Sequence, residues 1–266
     1  IAIYLGHGDC TFDDPISIGG STDYHYVATA DLTGDGHPEI ILSGNSVIDV
    51  YTFDAATAQI ALLREFYLPN VSWNFTTADV TDDGVTDLVL ATSNQWQGHL
   101  QVWDATLGPD APLITLDSGM GPIGQLGAAD FNGDGRVDLF AGTGSGGSHD
   151  SLLVWTNTDD TTVARSPVSS LGYSFNDNYR FKTIDDVVNI LFINAQNGED
   201  MVDTQILPDL SIGASHALET MEGSITSFNL ADIDGDGMDD LVGIVGNDHL
   251  FIAKGASAPD PFGPPS

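Results

Sequence analysis

The chain has 266 residues, 41 % of them hydrophobic, and carries six Lys or Arg against 39 Asp or Glu, for a net charge of -33. That balance excludes an electrostatic grip on nucleic acid or anionic membrane, which needs clustered cations. No apolar run approaches the roughly 18 residues of a membrane span, so no membrane insertion is expected.

The chain opens on Ile1 rather than Met, the mark of a processed or excised polypeptide. Ile1 to Leu5 and Thr11 to Ile18 read as short strands, with the single cysteine, Cys10, between them. One cysteine allows no internal disulfide; it is either a small semi-buried residue or a thiol for another chain. Tyr26 to Ala30, rich in small residues, leads into the acidic loop ADLTGDGHPEII from Ala30. Ala55 to Glu65 is expected as a strand or a single helical turn. Asn70 and Asn74 head two sequons, acceptors for glycosylation in a eukaryotic secretory pathway. A second loop, ADVTDDGVTDLV from Ala78, runs into the dense apolar strand Asp87 to Ala91. His99 to Trp103 and Pro112 to Leu116 follow as strands, and Gln125 to Ala129 precedes a third loop, ADFNGDGRVDLF from Ala129. Gly142 to Ser148 reads as a hairpin turn and Leu152 to Trp155 as a strand. The last loop, ADIDGDGMDDLV from Ala231, is followed by a strand at His249 to Ala253 and a Pro-rich stretch at 257–266.

The leading aspartates Asp31, Asp79, Asp130 and Asp232 lie 48, 51 and 102 residues apart, so a further copy is due near residue 181. There Phe181 and Asn189 stand where acids are expected, and this copy is expected to hold no ion. Arg180 and Lys182 are candidates to pair with Asp185 or Asp186 in the ion's place. Four strands per repeat of roughly 50 residues predict an all-β fold, a β-propeller of four-stranded blades. One such domain spans 1–256, with 257–266 as tail or linker. Five blades close if an N-terminal strand completes the sheet begun at Ile225, which covers an otherwise open edge. The alternative is a fragment of a larger propeller.

Alternate loop positions carry the chemistry. The first loop places Asp31, Thr33, Asp35, His37 and Glu39 at positions 1, 3, 5, 7 and 9. The second places Asp79, Thr81, Asp83, Val85 and Asp87, and the third Asp130, Asn132, Asp134, Arg136 and Asp138. The fourth places Asp232, Asp234, Asp236, Met238 and Asp240. Positions 1, 3, 5 and 9 offer oxygen side chains, whereas position 7 has only its backbone carbonyl in common. Position 6 is always glycine (Gly36, Gly84, Gly135, Gly237), which permits a sharp turn around one point. Fifteen of the 39 acids lie in these loops. So many carboxylates favour Ca²⁺ over Mg²⁺, about four ions in all, and the absence of paired His or Cys disfavours zinc. An EF-hand is excluded because position 12 is Leu42, Leu90, Ala141 or Gly243 and strands flank the loop.

These loops resemble the Asp-x-Asn/Asp-x-Asp-Gly-x-x-Asp-Leu signature of the FG-GAP/VCBS repeat family, the calcium-binding blades of integrin-α-like propellers. Thr33, Thr81 and the closing Glu39-Ile40 depart from it, which implies looser ion binding in the first two loops. Ile3 to Phe12 is similar to a Leu-Leu-Gly-Asn-Gly-Asp-Gly-Thr-Phe stretch of such repeats, with Cys10 in place of a glycine. The resemblance implies calcium, an extracellular or cell-surface location, and often about seven blades.

The expected function is a calcium-stabilised, non-catalytic binding module for a glycan or cell-surface ligand. Trp96, in a loop with Asn94, Gln95 and Gln97, is the candidate ligand contact, whereas Trp103 and Trp155 are expected to pack between blades. Alternatives are an adhesion subunit that self-assembles through its N-terminal strand or Cys10, and an accessory domain of a carbohydrate-active enzyme. Seven scattered histidines and no nucleophile elbow argue against catalysis within the chain.

Overall fold

The computed structural model describes residues 2–17, 23–44, 46–67, 71–93, 98–104, 112, 114–117, 123–143, 151–159, 162–167, 175–184, 187–194, 201–218, 225–246 and 249–255. Among them every helix or strand is a strand, and no helix is long and apolar enough to cross a membrane. Strands β1 (Ala2–Ile3) and β2 (Ile16–Ser17) pair with each other. The first four-stranded sheet follows: β3 (Tyr24–Ala30), β4 (Glu39–Gly44), β5 (Val47–Asp54) and β6 (Gln59–Tyr67). The second contains β7 (Val71–Ala78), β8 (Asp87–Ser93), β9 (Gly98–Trp103) and β10 (Ile114–Asp117). The third contains β11 (Ile123–Ala129), β12 (Asp138–Thr143), β13 (Ser151–Asp159) and β14 (Thr162–Pro167). The fourth contains β15 (Phe175–Ile184), β16 (Val187–Asn194), β17 (Met201–Ile206) and β18 (Ile212–Leu218). A fifth has three strands, β19 (Ile225–Ala231), β20 (Asp240–Val245) and β21 (His249–Ala253).

Each sheet is an antiparallel meander, and the first strands pack in succession: β3 on β7, β7 on β11, β11 on β15, β15 on β19. The chain is therefore a β-propeller, with these strands innermost. Small residues such as Ala78, Ala128 and Ala129 suit the crowding there. The second strand of each of the first four blades is buried on both faces, which explains its continuous apolar run. Leu88 and Leu90 of β8 pack towards the first sheet with Phe66, while Val89 and Ala91 pack towards the third with Leu153 and Trp155. Trp103 and Trp155 occupy equivalent places, opposite Leu88 and Leu139, and both pack between sheets.

Several expectations need correction. The N-terminal strands do not extend the last sheet among the described residues; they pair with each other through a local turn. In that turn Asp9 accepts from the Thr11 N–H, and the His7 N–H reaches the Thr11 carbonyl at 3.0 Å. A ring closed within 16 residues costs less chain entropy than one spanning the whole chain. Ala55 to Glu65 contains a turn, in which Asp54 accepts from the Ala56 N–H and the Thr57 hydroxyl, followed by β6. The degenerate copy is shorter than its sequence register suggests. Lys182 pairs with Asn189, the place Ala129 and Asp138 hold in the third blade, and pairing continues to Ile184 and Val187. Only two residues remain between the strands, so the nine-residue loop has been cut down rather than merely mutated. Asp185, Asp186, Trp96, Asn70, 144–148 and 257–266 lie outside the described residues, and Asn74 is placed only as part of β7.

The last sheet differs on one face. The position 2 residues Leu32, Val80 and Phe131 are buried beside the following sheet (4 %, 1 % and 2 % exposed), whereas Ile233 is 51 % exposed. Ile244 and Leu250 are exposed with it.

Candidate metal centres

Every intact loop joins the innermost strand of a blade to its second strand, so its two ends are fixed by a ladder pair: Ala30 with Glu39, Ala78 with Asp87, Ala129 with Asp138, Ala231 with Asp240. Between these anchors the leading aspartate organises the turn. Asp31 Oδ1 accepts from the N–H of Gly34 (2.7 Å) and Asp35 (3.2 Å), and Oδ2 from Gly36 (2.8 Å). Asp130 and Asp232 repeat all three bonds, and Asp79 takes those of Asp83 and Gly84. The carboxylate at position 5 caps the N–H at position 7 in all four loops, at 2.8–2.9 Å. Such dense donation favours the charged form, and the Gly36 N–H above all holds Asp31 below the usual carboxylate range.

Two backbone positions need positive φ. Position 6 glycines sit at φ 84 to 88°, as expected from the sequence. Position 4 does the same, with Gly34 at 70°, Asp82 at 59°, Gly133 at 76° and Gly235 at 79°. This second requirement went unread in the sequence, although three of the four residues are glycines.

The closing acid is buried. One of its oxygens accepts from the N–H at position 2 (Leu32, Val80, Phe131, Ile233) at 2.8–3.0 Å. The other oxygen of Asp138 and of Asp240 takes an N–H from the third strand region, Asn157 and Gly255, each at 2.8 Å. Burial pushes the Asp87 carboxyl up to about 6 and raises that of Asp138, against the backbone donors that oppose it. Asp240 instead is held low, first by the Gly255 N–H and then by that of Ile233.

The donors fit a hard cation. In the fourth loop, oxygens of Asp232, Asp234 and Asp240 lie within 4.8 Å of one another. Oxygens about 2.3–2.6 Å from a shared Ca²⁺ can lie no farther apart than roughly twice that, so these three can meet on one ion. In the second loop Thr81 is 8 % exposed and its Oγ1 has no hydrogen-bond partner, an orphaned oxygen at position 3 where a ligand is due. The other position 3 groups are engaged. Thr33 Oγ1 reaches Glu39 at 3.5 Å, and Asn132 bonds Asp134 in both directions. Asp234 also receives Lys254 Nζ at 2.7 Å. The position 5 acid Asp236 lies outside the converging group.

Position 7 side chains point elsewhere. A Cβ on Gly34 would meet Val85 Cγ2 at 3.0 Å, and Arg136 Nη2 lies 4.0 Å from Asp82 Oδ2. Position 7 of the second and third loops thus touches position 4 of the loop before it. Met238 is exposed, as is His37.

No curated protein matches the chain in sequence. The model of the FG-GAP-like repeat matches residues 79–141, from the leading Asp79 of the second loop to Ala141 in β12. Among solved structures, the chain is similar to an Agrocybe aegerita lectin described for specific recognition of non-reducing terminal N-acetylglucosamine. That likeness has 15 % identity and a TM-score of 0.58, over 99 % of this chain and 73 % of the lectin chain. It is also similar to BBS1N in complex with ARL6DN (12 %, TM-score 0.51, 90 % and 80 % covered). Rhamnogalacturonan lyase YesW matches at 14 % and a TM-score of 0.53, with this chain covering 48 % of the lyase chain. At such identities the likeness concerns the fold. Residues 79–141 match the FG-GAP-like repeat, within an all-β chain that has the β-propeller fold.

Proposed function

We propose that the chain is a calcium-stabilised, non-catalytic binding module that works outside the cell and recognises a glycan or another cell-surface ligand. The convergence of Asp232, Asp234 and Asp240 oxygens carries the calcium part, with the orphaned Thr81 hydroxyl as independent support. In this reading each of the four loops holds one ion through its acids and position 3 oxygen. The ion neutralises carboxylates that otherwise repel one another, and it fixes the link between the inner two strands of each blade. The aspartates at position 1 keep the turn closed whether or not the ion is present, because backbone donors already bind them. The glycan part draws on the likeness to the N-acetylglucosamine-recognising lectin. A glycan array probed with calcium-loaded chain tests it: saturable binding to at least one glycan class supports the reading, and an empty array removes the glycan.

A second reading, a structural or adhesion subunit that assembles with other chains, is favoured by the exposed Ile233, Ile244 and Leu250 on the last sheet and by the exposed thiol of Cys10. Sedimentation under oxidising, calcium-replete conditions tests it; a strict monomer at all concentrations refutes it.

A further inference from the structure

Between the first and second sheets lies a cavity of about 240 Å³. Its walls include Leu32, Val50, Phe66 and Leu88, all buried and apolar. Three polar residues interrupt them: Thr33, whose hydroxyl reaches Glu39 at 3.5 Å, and the donors Trp103 and Arg64. Trp103 also lines the cavity, and its indole Nε1, in a side chain only 7 % exposed, has no hydrogen-bond partner. Arg64 is one of six cationic side chains in a chain of net charge -33. Among the described residues it pairs with no carboxylate, and its guanidinium lies 5.7 Å from the centre of the Phe66 ring.

The backbone places Arg64 there by an irregularity. β6 pairs Arg64 with Val50 but Leu62 with Tyr51, so Leu63 is an extra residue in the ladder. A bulge of this kind re-aims side chains, and here it lets the consecutive Leu63 and Arg64 both line the cavity. An unpaired buried N–H is costly, and each such group in a native structure calls for a partner.

We propose that this cavity binds a small molecule with an apolar ring system and a carboxylate head. Indole and guanidinium are donors with no acceptor capacity, so the head that satisfies both must accept, and the guanidinium selects a planar anion. The apolar walls favour a ring hydrocarbon body. A sugar would leave its hydroxyls unpaired against them, so this site is separate from any glycan site. A cavity of about 150 Å³ suffices for benzene, so the volume here suits a fused pair of rings. The inference depends on neither the calcium nor the glycan reading.

The test titrates 1-naphthoate into the full chain in about 0.15 M salt with calcium present, where long-range repulsion by the acidic surface is screened. Heat and tryptophan fluorescence are followed together. Saturable binding of one equivalent is expected, weakened about tenfold in Arg64→Gln, because one charge-assisted pair is worth roughly that factor. 1-Naphthalenemethanol, with the same rings and no charge, binds equally weakly to both proteins. Trp103→Phe weakens the acid severalfold, and thermal unfolding confirms that each variant is folded. Equal affinity for acid and alcohol, or unchanged affinity in Arg64→Gln, overturns the proposal. So does the absence of saturable binding, which leaves a water as the indole's partner.

Discussion

Asn157 donates its side-chain amide to the carbonyl of Val80 at 2.6 Å, across 77 residues of sequence. Its backbone N–H goes to Asp138, while the Val80 N–H goes to Asp87, each at 2.8 Å. One buried asparagine therefore joins the closing carboxylates of two successive loops in a single line of hydrogen bonds. Asn157→Leu leaves the Val80 carbonyl without that donor in a buried place. A loss of about 1–3 kcal/mol is expected in urea unfolding. A change within about 0.5 kcal/mol, the range of an ordinary surface substitution, would show that the bond contributes nothing.

Gly34 and Gly36 both need positive φ, but only Gly34 faces a neighbour. Gly36→Ala is expected to cost about 1–2 kcal/mol, the strain of a left-handed residue with a Cβ. Gly34→Ala costs more, because its Cβ also presses on Val85 Cγ2. Adding Val85→Ala recovers the excess and leaves the strain. Thermal unfolding of the four proteins checks this, and equal losses at the two glycines would contradict the loop-to-loop contact.

Tyr24 on β3 donates its hydroxyl to Asp49 on β5. Burial, and then this bond, push its ionisation well above the usual tyrosine range. The folded chain holds that proton more tightly than the unfolded chain, so the contribution is complete below about pH 10 and fades as pH rises through the folded-state value. Phenolate absorbance should show one of the seven tyrosines titrating last in the native protein. That late step should vanish in Tyr24→Phe; its persistence would place the late tyrosine elsewhere.

Lys254 Nζ occupies Asp234 Oδ2, one of the three converging acids of the fourth loop. An exposed pair of this kind is weak, so its loss frees the carboxylate at little cost. Lys254→Ala is therefore expected to tighten calcium binding at that loop by up to about fivefold. Calorimetry on a chain whose other loops are silenced reads this directly. Weaker binding in the variant would mean that the lysine supports the site instead of competing for it.

The repeats were legible because a cage of oxygens demands fixed spacing, and fixed spacing survives in sequence. The second strands were legible because burial on both faces leaves no room for polar residues, as in Leu88 to Ala91. Trp103 and Trp155 were read correctly as packing residues for the same reason. The degenerate copy was misregistered because removing two loop residues looks, in a single sequence, like substitution of Phe181 for an acid. Position 4 was missed because Asp82 breaks the run of glycines there, though aspartate tolerates positive φ better than most residues. Asn157 was invisible, since nothing local marks a side chain that bonds 77 residues away. The N-terminal pairing was missed because a short alternating segment fits either a distant edge or its own neighbour, and the Asp9 turn decides in favour of the neighbour.

Calorimetric titration of Ca²⁺ into chelator-stripped chain, beside the variant carrying Asp31→Asn, Asp79→Asn, Asp130→Asn and Asp232→Asn, tests the metal centres most directly. The native chain should take up several ions saturably and gain thermal stability as it does, while the variant takes up none. Absence of uptake by the native chain, or equal uptake by both, would contradict the assignment of these loops as calcium sites.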